Sequence, residues 1–439
     1  MKRRSFIAGI PILTGATAYQ THDAFAGAVM TAADGIGDTV TEPERKIPVI
    51  AETDVLVVGG GPAGVAAAVS ASRAGSSVII VERYNHLGGL WTGGMVLPLL
   101  STHAMDRDGR FKKVIFGIGG EMADRLTAMG MAVHEVNPVI DPEAGKYILD
   151  LMVRDAGVRV LYHCWLSNIV TDNDAIRAVI VESKSGRVAI KPRVVVDCTG
   201  DGDVFNLAGE NFEVMNYNIG LVHRLGNIDR IDKTKPGYKE MEIGNETPIP
   251  SVNWVNMQGE EGRSAIDLNT ISELQQKYRI AIWERTEKIR AVPGYEQVFL
   301  LDTASQIGVR MSRILHGSYT LTLEDSMTFR TFDDVIGISG AWIRVQYGGK
   351  TVYPKERPLW QIPYRSLLPK KTKNLLVAGR CFSFDQKLFQ DTRIIGTCLV
   401  TGHGTGAAAA VAVKSGAAVQ DVDIRVVQKL LREQGTNLG

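Results

Sequence analysis

Asp54–Glu82 reads DVLVVGGGPAGVAAAVSASRAGSSVIIVE, and its reading decides the fold. Val55-Leu56-Val57-Val58 is the apolar run that a strand buried on both faces requires. It enters Gly59-Gly60-Gly61-Pro62-Ala63-Gly64, which sets Gly59, Gly61 and Gly64 at G-x-G-x-x-G spacing. A helix is expected over Ala63 to Ala74, rich in small residues that let it lie close on a sheet, with Gly75 ending it. A second strand, Val78 to Val81, then carries Glu82 at its carboxyl end, 18 residues after Gly64. Strand, glycine turn, helix, strand and terminal acid in that order form a dinucleotide-binding unit, so the fold class is α/β.

Each part has a physical task. Gly59 permits the tight turn, Gly61 lets backbone approach a pyrophosphate with no β-carbon in the way, and Gly64 lets helix and strand pack closely. The helix start at Pro62-Ala63 turns its N–H groups and positive dipole end toward the phosphates. Glu82 is placed to accept hydrogen bonds from ribose hydroxyls.

The 439-residue chain is long enough for one large domain or two interleaved ones. A formal net charge of +1 gives no electrostatic case for nucleic acid or an anionic membrane surface. At the N-terminus Lys2-Arg3-Arg4-Ser5-Phe6-Ile7 is a twin-arginine pattern, followed by an apolar segment to Ala18 that is too short to span a bilayer, and by Ala24-Phe25-Ala26 as a cleavage site. Residues 1–26 are therefore read as a twin-arginine signal peptide and 27–50 as a polar leader, with export by the twin-arginine translocase to the periplasm or medium and no stable membrane insertion. Cys164, Cys198, Cys381 and Cys398 show no metal-ligand spacing; they read first as buried thiols, with a disulfide open in an oxidising compartment. No metal site is expected.

After Glu82, Arg83 leads into a loop with the glycine pairs Gly88-Gly89 and Gly93-Gly94, able to pass close to a flat ligand; His86 within it reads as a loop histidine. Helices are expected over Gly117–Gly130 and Tyr147–Val153. A small antiparallel meander follows from Val158–Leu161, Ser167–Val170, Ile176–Glu182 and Val188–Pro192. Arg193–Asp197 is a separate buried strand ending in Cys198-Thr199-Gly200-Asp201-Gly202-Asp203, a turn where backbone again meets ligand. From Glu210 to Tyr353 the texture is more polar. Thr270–Arg290 has helical periodicity with Leu274, Tyr278 and Ile282 on one side, and Ser305–His316, if helical, puts Arg310 and Arg313 on one face. The boundaries are 51–209 for the first part of the dinucleotide domain, 210–353 for an inserted α+β substrate domain, and 354–439 for the return. The return holds the strand and sharp turn Asn374–Arg380, with Gly379, and a glycine- and alanine-rich helix, Thr397–Val413, closed by Gly416. Asp423–Gly435 is a last surface helix.

VVGGGPAG, ERYNHLGG, VVVDCTGDGDV, HRLGNID, QIGVR, IPYRSLLP, NLLVAGRC and TRIIGTC together resemble the broad bacterial FAD-dependent oxidoreductase family, glutathione-reductase-like Rossmann flavoproteins distantly related to fumarate reductase and succinate dehydrogenase flavoproteins. The resemblance covers nearly all of the mature chain and is specific for FAD, not for substrate. It implies that Gly59, Gly61, Pro62, Ala63 and Gly64 hold the pyrophosphate, Glu82 and Arg83 flank the adenosine ribose, and the Gly88-Gly89 loop runs along the flavin. Leu166 would lie near adenine through its backbone, Thr199, Gly200, Gly379 and Arg380 would line the cofactor, and Thr397 would face the pyrimidine edge of the ring. Arg393 occupies the place of an arginine that grips substrate or the charged flavin edge, with Arg310 and Arg313 as further candidates. The sequence departs from the family where Gln386, Gln346 and Met311 replace titratable groups. No base is assigned: His103, His223, His316 and His403 are available by type alone. The sequence holds no second G-x-G-x-x-G unit, so the expected reaction is a dehydrogenase or oxidase that moves a hydride from a small-molecule substrate to flavin and passes electrons to a quinone, a cytochrome or oxygen; the alternatives are a flavin-dependent reductase of an unsaturated substrate and a flavin-binding protein whose active site has decayed.

Overall fold

Val49–Val58 forms β1, the strand at the middle of the main sheet in the computed structural model, which describes residues 39–106, 108–256, 259–341, 343–357 and 359–439. The arginine pair and cleavage site, the first half of the 27–50 leader, and Trp342 lie outside the described residues. Glu42–Gly439 makes one compact unit; of the preceding unit, Thr39–Thr41 is described, exposed and without regular structure.

The strands that position the site are β2 (Val78–Val81), β3 (Arg159–Leu161), β4 (Trp165–Asp172), β5 (Ala175–Ser183), β6 (Gly186–Asp197), β7 (Val222–Gly226), β8 (Asn245–Glu246), β9 (Asn253–Asn256), β10 (Phe299–Thr303) and β11 (Leu375–Val377). The helices are α1 (Pro62–Arg73), α2 (Gly117–Ala128), α3 (Pro142–Asp155), α4 (Leu268–Arg290), α5 (Ile395–Ser415) and α6 (Ile424–Glu433). The main sheet runs β3-β2-β1-β6-β5-β4, with β11 also on β6. Strands β3, β2, β1, β6 and β11 pair in parallel, and their residues are buried around β1, where Val55, Leu56 and Val57 are fully covered. Burial on both faces is why these strands are unbroken apolar runs and not alternating ones.

Two sequence expectations are corrected in this sheet. Val158–Leu161 does not belong to a meander: β3 joins β2 in parallel, leaving β4, β5 and β6 as the antiparallel part. Val188–Pro192 and Arg193–Asp197 are one strand. Gly186–Ile190 of β6 pairs with β5 and Val195–Asp197 with β11, so Pro192 falls between the two pairings on that side, where a missing N–H breaks neither ladder.

Helix α5 lies across α1 with its glycines on α1's backbone: a β-carbon at Gly406 would stand 2.2 Å from the Ala67 carbonyl oxygen. Gly416, at φ 69°, closes α5 in the left-handed conformation. The 210–353 segment builds a four-stranded antiparallel sheet, β8-β9-β7-β10. Asp267 caps α4 by accepting from the Thr270 N–H, and Leu274, Tyr278 and Ile282 of α4 share an apolar core with Leu221, Val222 and Trp254. Arg224 on β7 ties this sheet inward, bidentate to Asp302 at 3.0 and 2.6 Å and 3.3 Å from Asp141, the cap of α3. Ser305–His316 is not a helix. It carries the two-residue strand Gly308–Val309 and then Arg313–Leu315, which pair with Ile219–Gly220 and Phe212–Val214. Among the described residues no single helix is long and apolar enough to cross a membrane.

Candidate functional site

The carboxyl ends of β2, β1, β6 and β11 open onto one crevice, and β1 has strands that follow it in sequence on both of its sides. A ligand belongs at such a switch point. Gly59, at φ 101°, makes the turn out of β1, and a β-carbon there would stand 2.4 Å from the Cys198 carbonyl oxygen at the end of β6. Gly64 is pressed against the Gly59 carbonyl at 1.9 Å by the same measure, whereas a β-carbon at Gly61 would meet no protein atom within 4 Å. The turn is thus tight against protein on one side and open on the other. No side chain caps α1, so the N–H groups of Ala63 and Gly64 in its first turn, which Pro62 opens without an N–H of its own, are left to a ligand. The Gly88-Gly89 loop closes on this turn: the Gly88 N–H donates to the Gly60 carbonyl at 2.8 Å, and a β-carbon at Gly89 would lie 3.1 Å from Gly61.

Glu82 is buried beside the turn. Its carboxylate accepts the Gly60 N–H at 2.7 Å and the Tyr84 N–H at 2.8 Å, which fixes the group and leaves lone pairs for further donors. The next segment is laid alongside, with the Cys164 N–H on the Glu82 carbonyl at 3.0 Å and Leu166 second in β4. Arg83 packs its guanidinium over the Tyr84 and Trp165 rings, 5.1 and 5.2 Å from their centroids.

Asp197 and Asp201 organise the turn after β6. Fully buried Asp197 accepts from the Thr199 N–H and hydroxyl and from the N–H groups of Val204 and Phe205, so its charge builds the turn that presents Gly200. Burial still pushes its carboxyl up. Asp201 accepts from Ser312 at 2.7 Å and from Arg380 at 2.6 Å, with Arg83 at 3.8 Å. Burial raises Asp201, but the charges of Arg380 and Arg83 outweigh it and hold the carboxyl below its ordinary range. Arg380 leaves β11 through Gly379, whose N–H donates to Thr401 of α5 at 3.1 Å, and its guanidinium lies against Gly200.

At the other end of the crevice α5 begins after a 91° turn from the short helical segment Gln386–Thr392, and no side chain caps its first turn. Thr397 is buried there, donating to the Asp391 carbonyl at 2.7 Å and touching the Ser339 hydroxyl. Asp391 forms a fully buried pair with Arg357 at 2.7 Å, which anchors the segment that presents Arg393. Arg393 donates to Gln390, and Gln390 donates to the Tyr217 hydroxyl at 3.0 Å. Arg310, from the inserted segment, lies beside the same Tyr217 hydroxyl. The phenol stands edge-on to Phe389, with ring centroids 4.6 Å apart. Burial lowers Arg310, and burial together with the charge of Arg310 lowers Arg393 to about 10.

Of the three candidate arginines, the fold therefore brings together Arg310 and Arg393. Arg313 faces elsewhere: it donates to Asp203 and to the Asp201 carbonyl, both at 2.9 Å, and covers the Phe212 ring. Tyr217, Gln390, Asp201, Arg357 and Asp391 have no place in the sequence reading as side chains of the site. Of these only Asp201 had a signal, as the acid inside the Thr-Gly-Asp-Gly turn. The departures from the family pattern fill structural posts: Met311 is fully buried, Gln386 donates to Glu213 at 2.7 Å, and Gln346 donates to Thr351 at 2.8 Å on a hairpin. His86 is buried beneath the loop, its Nδ1 3.2 Å from the Leu87 carbonyl and its Nε2 3.4 Å from Gln306. His403 has Gln434 at 2.7 Å and Thr436 at 3.1 Å on its two nitrogens, and it fastens α5 to the C-terminal tail. All four cysteines are free thiols, with Cys198, Cys381 and Cys398 buried.

A family model described as FAD dependent oxidoreductase matches residues 54–431. The thiamine thiazole synthase of Aeropyrum pernix is 29% identical over 164 residues, 34% of this chain and 54% of that protein. That of Methanococcus maripaludis strain C6 is 23% identical over 235 residues, 50% of this chain and 72% of the other. The chain thus spans about half the length of the first of these curated relatives. Among solved structures, p-nitrophenol 4-monooxygenase PnpA from Pseudomonas putida DLL-E4 has a TM-score of 0.46 at 13% identity, covering 87% of this chain and 84% of that one. The flavin-dependent brominase Bmp2 has a TM-score of 0.47 at 10% identity, covering 87% and 83%.

Proposed function

This chain belongs to the FAD dependent oxidoreductase family, its cofactor is FAD, and from that premise we propose that it is a dehydrogenase or oxidase that takes a hydride from a small organic substrate and passes the electrons to a non-nicotinamide acceptor. The residues present fit the cofactor: a turn open at Gly61, an uncapped helix start behind it and a fixed carboxylate at Glu82 suit a pyrophosphate and a ribose. In this reading Gly59, Gly61, Pro62, Ala63, Gly64, Glu82, Arg83, Gly88, Gly89 and Leu166 hold the adenylate and pyrophosphate end. Thr199, Gly200, Gly379, Arg380 and Thr397 line the rest. Bound FAD supplies the hydride acceptor, flavin N5.

The observation that carries the proposal is the convergence at the start of α5. Arg310 from the inserted segment and Arg393 from the return segment meet through Tyr217 and Gln390, so two separate parts of the chain build one half-open polar site where the cofactor cradle ends. The non-nicotinamide acceptor is supported by the single dinucleotide fingerprint in the sequence and by the twin-arginine segment, which would carry the folded protein to a compartment poor in NAD(P)H. Quinone, cytochrome and oxygen are the acceptor classes proposed. Localisation in the periplasm or medium rests on that segment alone.

Photoreduction of the purified protein without oxygen, followed by mixing with a soluble quinone, cytochrome c, oxygen, NAD or NADP, tests the reading. Reoxidation by one of the first three at a rate compatible with turnover is expected. Fast flavin reduction by NADH or NADPH would instead place the protein among the nicotinamide-fed flavoproteins. Replacing Arg3 and Arg4 with lysine should leave the precursor in the cytoplasm.

A further inference from the structure

The geometry points to a carboxylate as the substrate group held at the start of α5, gripped by Arg310 and Arg393 with Tyr217 and Gln390 beside them. This inference rests on the oxidoreductase reading for the word substrate, and on the side chains alone for the anion.

Arginines around the crevice are otherwise matched to acids. Arg357 has Asp391 at 2.7 Å, Arg313 has Asp203 at 2.9 Å, Arg380 has Asp201 at 2.6 Å, and Arg224 has Asp302 at 2.6 Å. Among the described residues neither Arg310 nor Arg393 has a carboxylate within 4.0 Å; Arg393 donates to the neutral Gln390 oxygen, and Arg310 lies beside the Tyr217 hydroxyl. Arg393 keeps a buried Nε with no partner. Burial lowers both partly buried guanidiniums, the charge of Arg310 lowers Arg393 further, and the more distant carboxylates of Glu261 and Asp391 offset this only in part. That cost is offset when an anion enters, and a planar guanidinium fork matches a carboxylate bidentately. Tyr217, Arg310 and Arg393 are each half-buried, so the cluster reaches the surface. The uncapped first turn of α5 adds its positive end on the same side.

The test uses the full-length mature protein as purified, in the oxidised state and in chloride-free buffer of low ionic strength, titrated calorimetrically with acetate, succinate and benzoate against acetamide and benzamide. FAD content is measured separately. At least one carboxylate should bind saturably and its amide about 100-fold more weakly, since hydrogen bonds to a charged group carry about 1.5–3 kcal/mol each. Arg310→Met and Arg393→Met should each weaken the carboxylate at least about tenfold, and the lysine variants less, while Arg279→Met, on the exposed side of α4, should change nothing. Equal binding of carboxylate and amide, tighter binding of inorganic phosphate than of any carboxylate, or full affinity in both arginine variants with unfolding curves like the parent's would each overturn the proposal. Colourless protein that refuses FAD but still binds carboxylates would sink the oxidoreductase reading and leave the anion site standing.

Discussion

Gly402 of α5 rests on the carbonyl of Ala63 in α1: a β-carbon at position 402 would stand 2.1 Å from that oxygen. The atom it would strike is backbone, in the turn of helix that faces the open side of Gly61, so nothing flexible can yield. Gly402→Ala must push the two helices apart and disturb the dinucleotide turn with them. Overpacking against backbone costs about 3 kcal/mol or more. The thermal midpoint should fall by several degrees and the bound FAD with it, read by unfolding curves and by the visible absorbance of purified protein. A variant with parental stability and full colour would show that the helices are not held at this distance.

Glu82 is the one acid fixed at the turn, by the N–H groups of Gly60 and Tyr84. Glu82→Ala removes both those bonds and the acceptor for ribose hydroxyls. With charge-assisted bonds near 1.5–3 kcal/mol each, FAD affinity should drop about 10- to 100-fold. Flavin retained on gel filtration, compared with the parent, measures this. The helix and sheet around Glu82 should survive, so added FAD at high concentration should restore colour.

The dinucleotide unit was legible because each of its signals is local: an apolar run for β1, glycine spacing for the turn, small residues for α1, an acid after β2. The glycine-rich helix α5 could be read as tight-packing, though nothing in it names α1 as the surface it meets. What could not be read depends on tertiary pairing. Tyr217, Arg310 and Gln390 are far apart in sequence and individually ordinary; they matter because the Gly308–Val309 and Arg313–Leu315 strands carry Arg310 to the start of α5. Those strands are too short to leave a periodicity, which is why Ser305–His316 looked helical. Pro192 misled for a similar reason, since the partner that β6 lacks at that point is visible only in the sheet.

Arg313 and Arg393 should separate on mutation. Arg313 is bonded to Asp203 and to the Asp201 carbonyl, and burial with the neighbouring charges of Asp201 and Asp197 already pushes the Asp203 carboxyl up to about 6. Arg313→Ala takes away a compensating cation, and a loss of about 2 kcal/mol in stability is expected. Among the described residues Arg393 has no acid within 4.0 Å, and Asp391, the nearby carboxylate, is already paired with Arg357. Arg393→Ala should unfold like the parent, keep its FAD, and slow flavin reduction by substrate about 100-fold, the scale on which one oriented charge-stabilising donor acts. Chemical unfolding and stopped-flow reduction of both variants decide the matter; a destabilised Arg393→Ala with unchanged reduction would reverse the two assignments.

His223 and His403 set a pH limit on stability. Burial pushes both imidazoles down to about 4, with the Arg285 charge lowering and the Asp302 charge raising His223. The folded state therefore keeps them neutral, whereas the unfolded chain protonates them below about pH 6.5. Between those values the unfolded state binds more protons, so stability is fully present above about 6.5 and is lost as pH falls toward 4. Each histidine should cost about 2 kcal/mol between pH 7 and pH 5. His403 is also bonded to Gln434 and Thr436, so replacing it would release the C-terminal tail; His223, whose buried Nδ1 has no partner, is the cleaner position. His223→Gln should lose less stability than the parent on the same shift to pH 5, by about 2 kcal/mol in denaturant unfolding. An unchanged pH slope in that variant would mean that His223 is already charged in the fold and that Asp302, not burial, governs it.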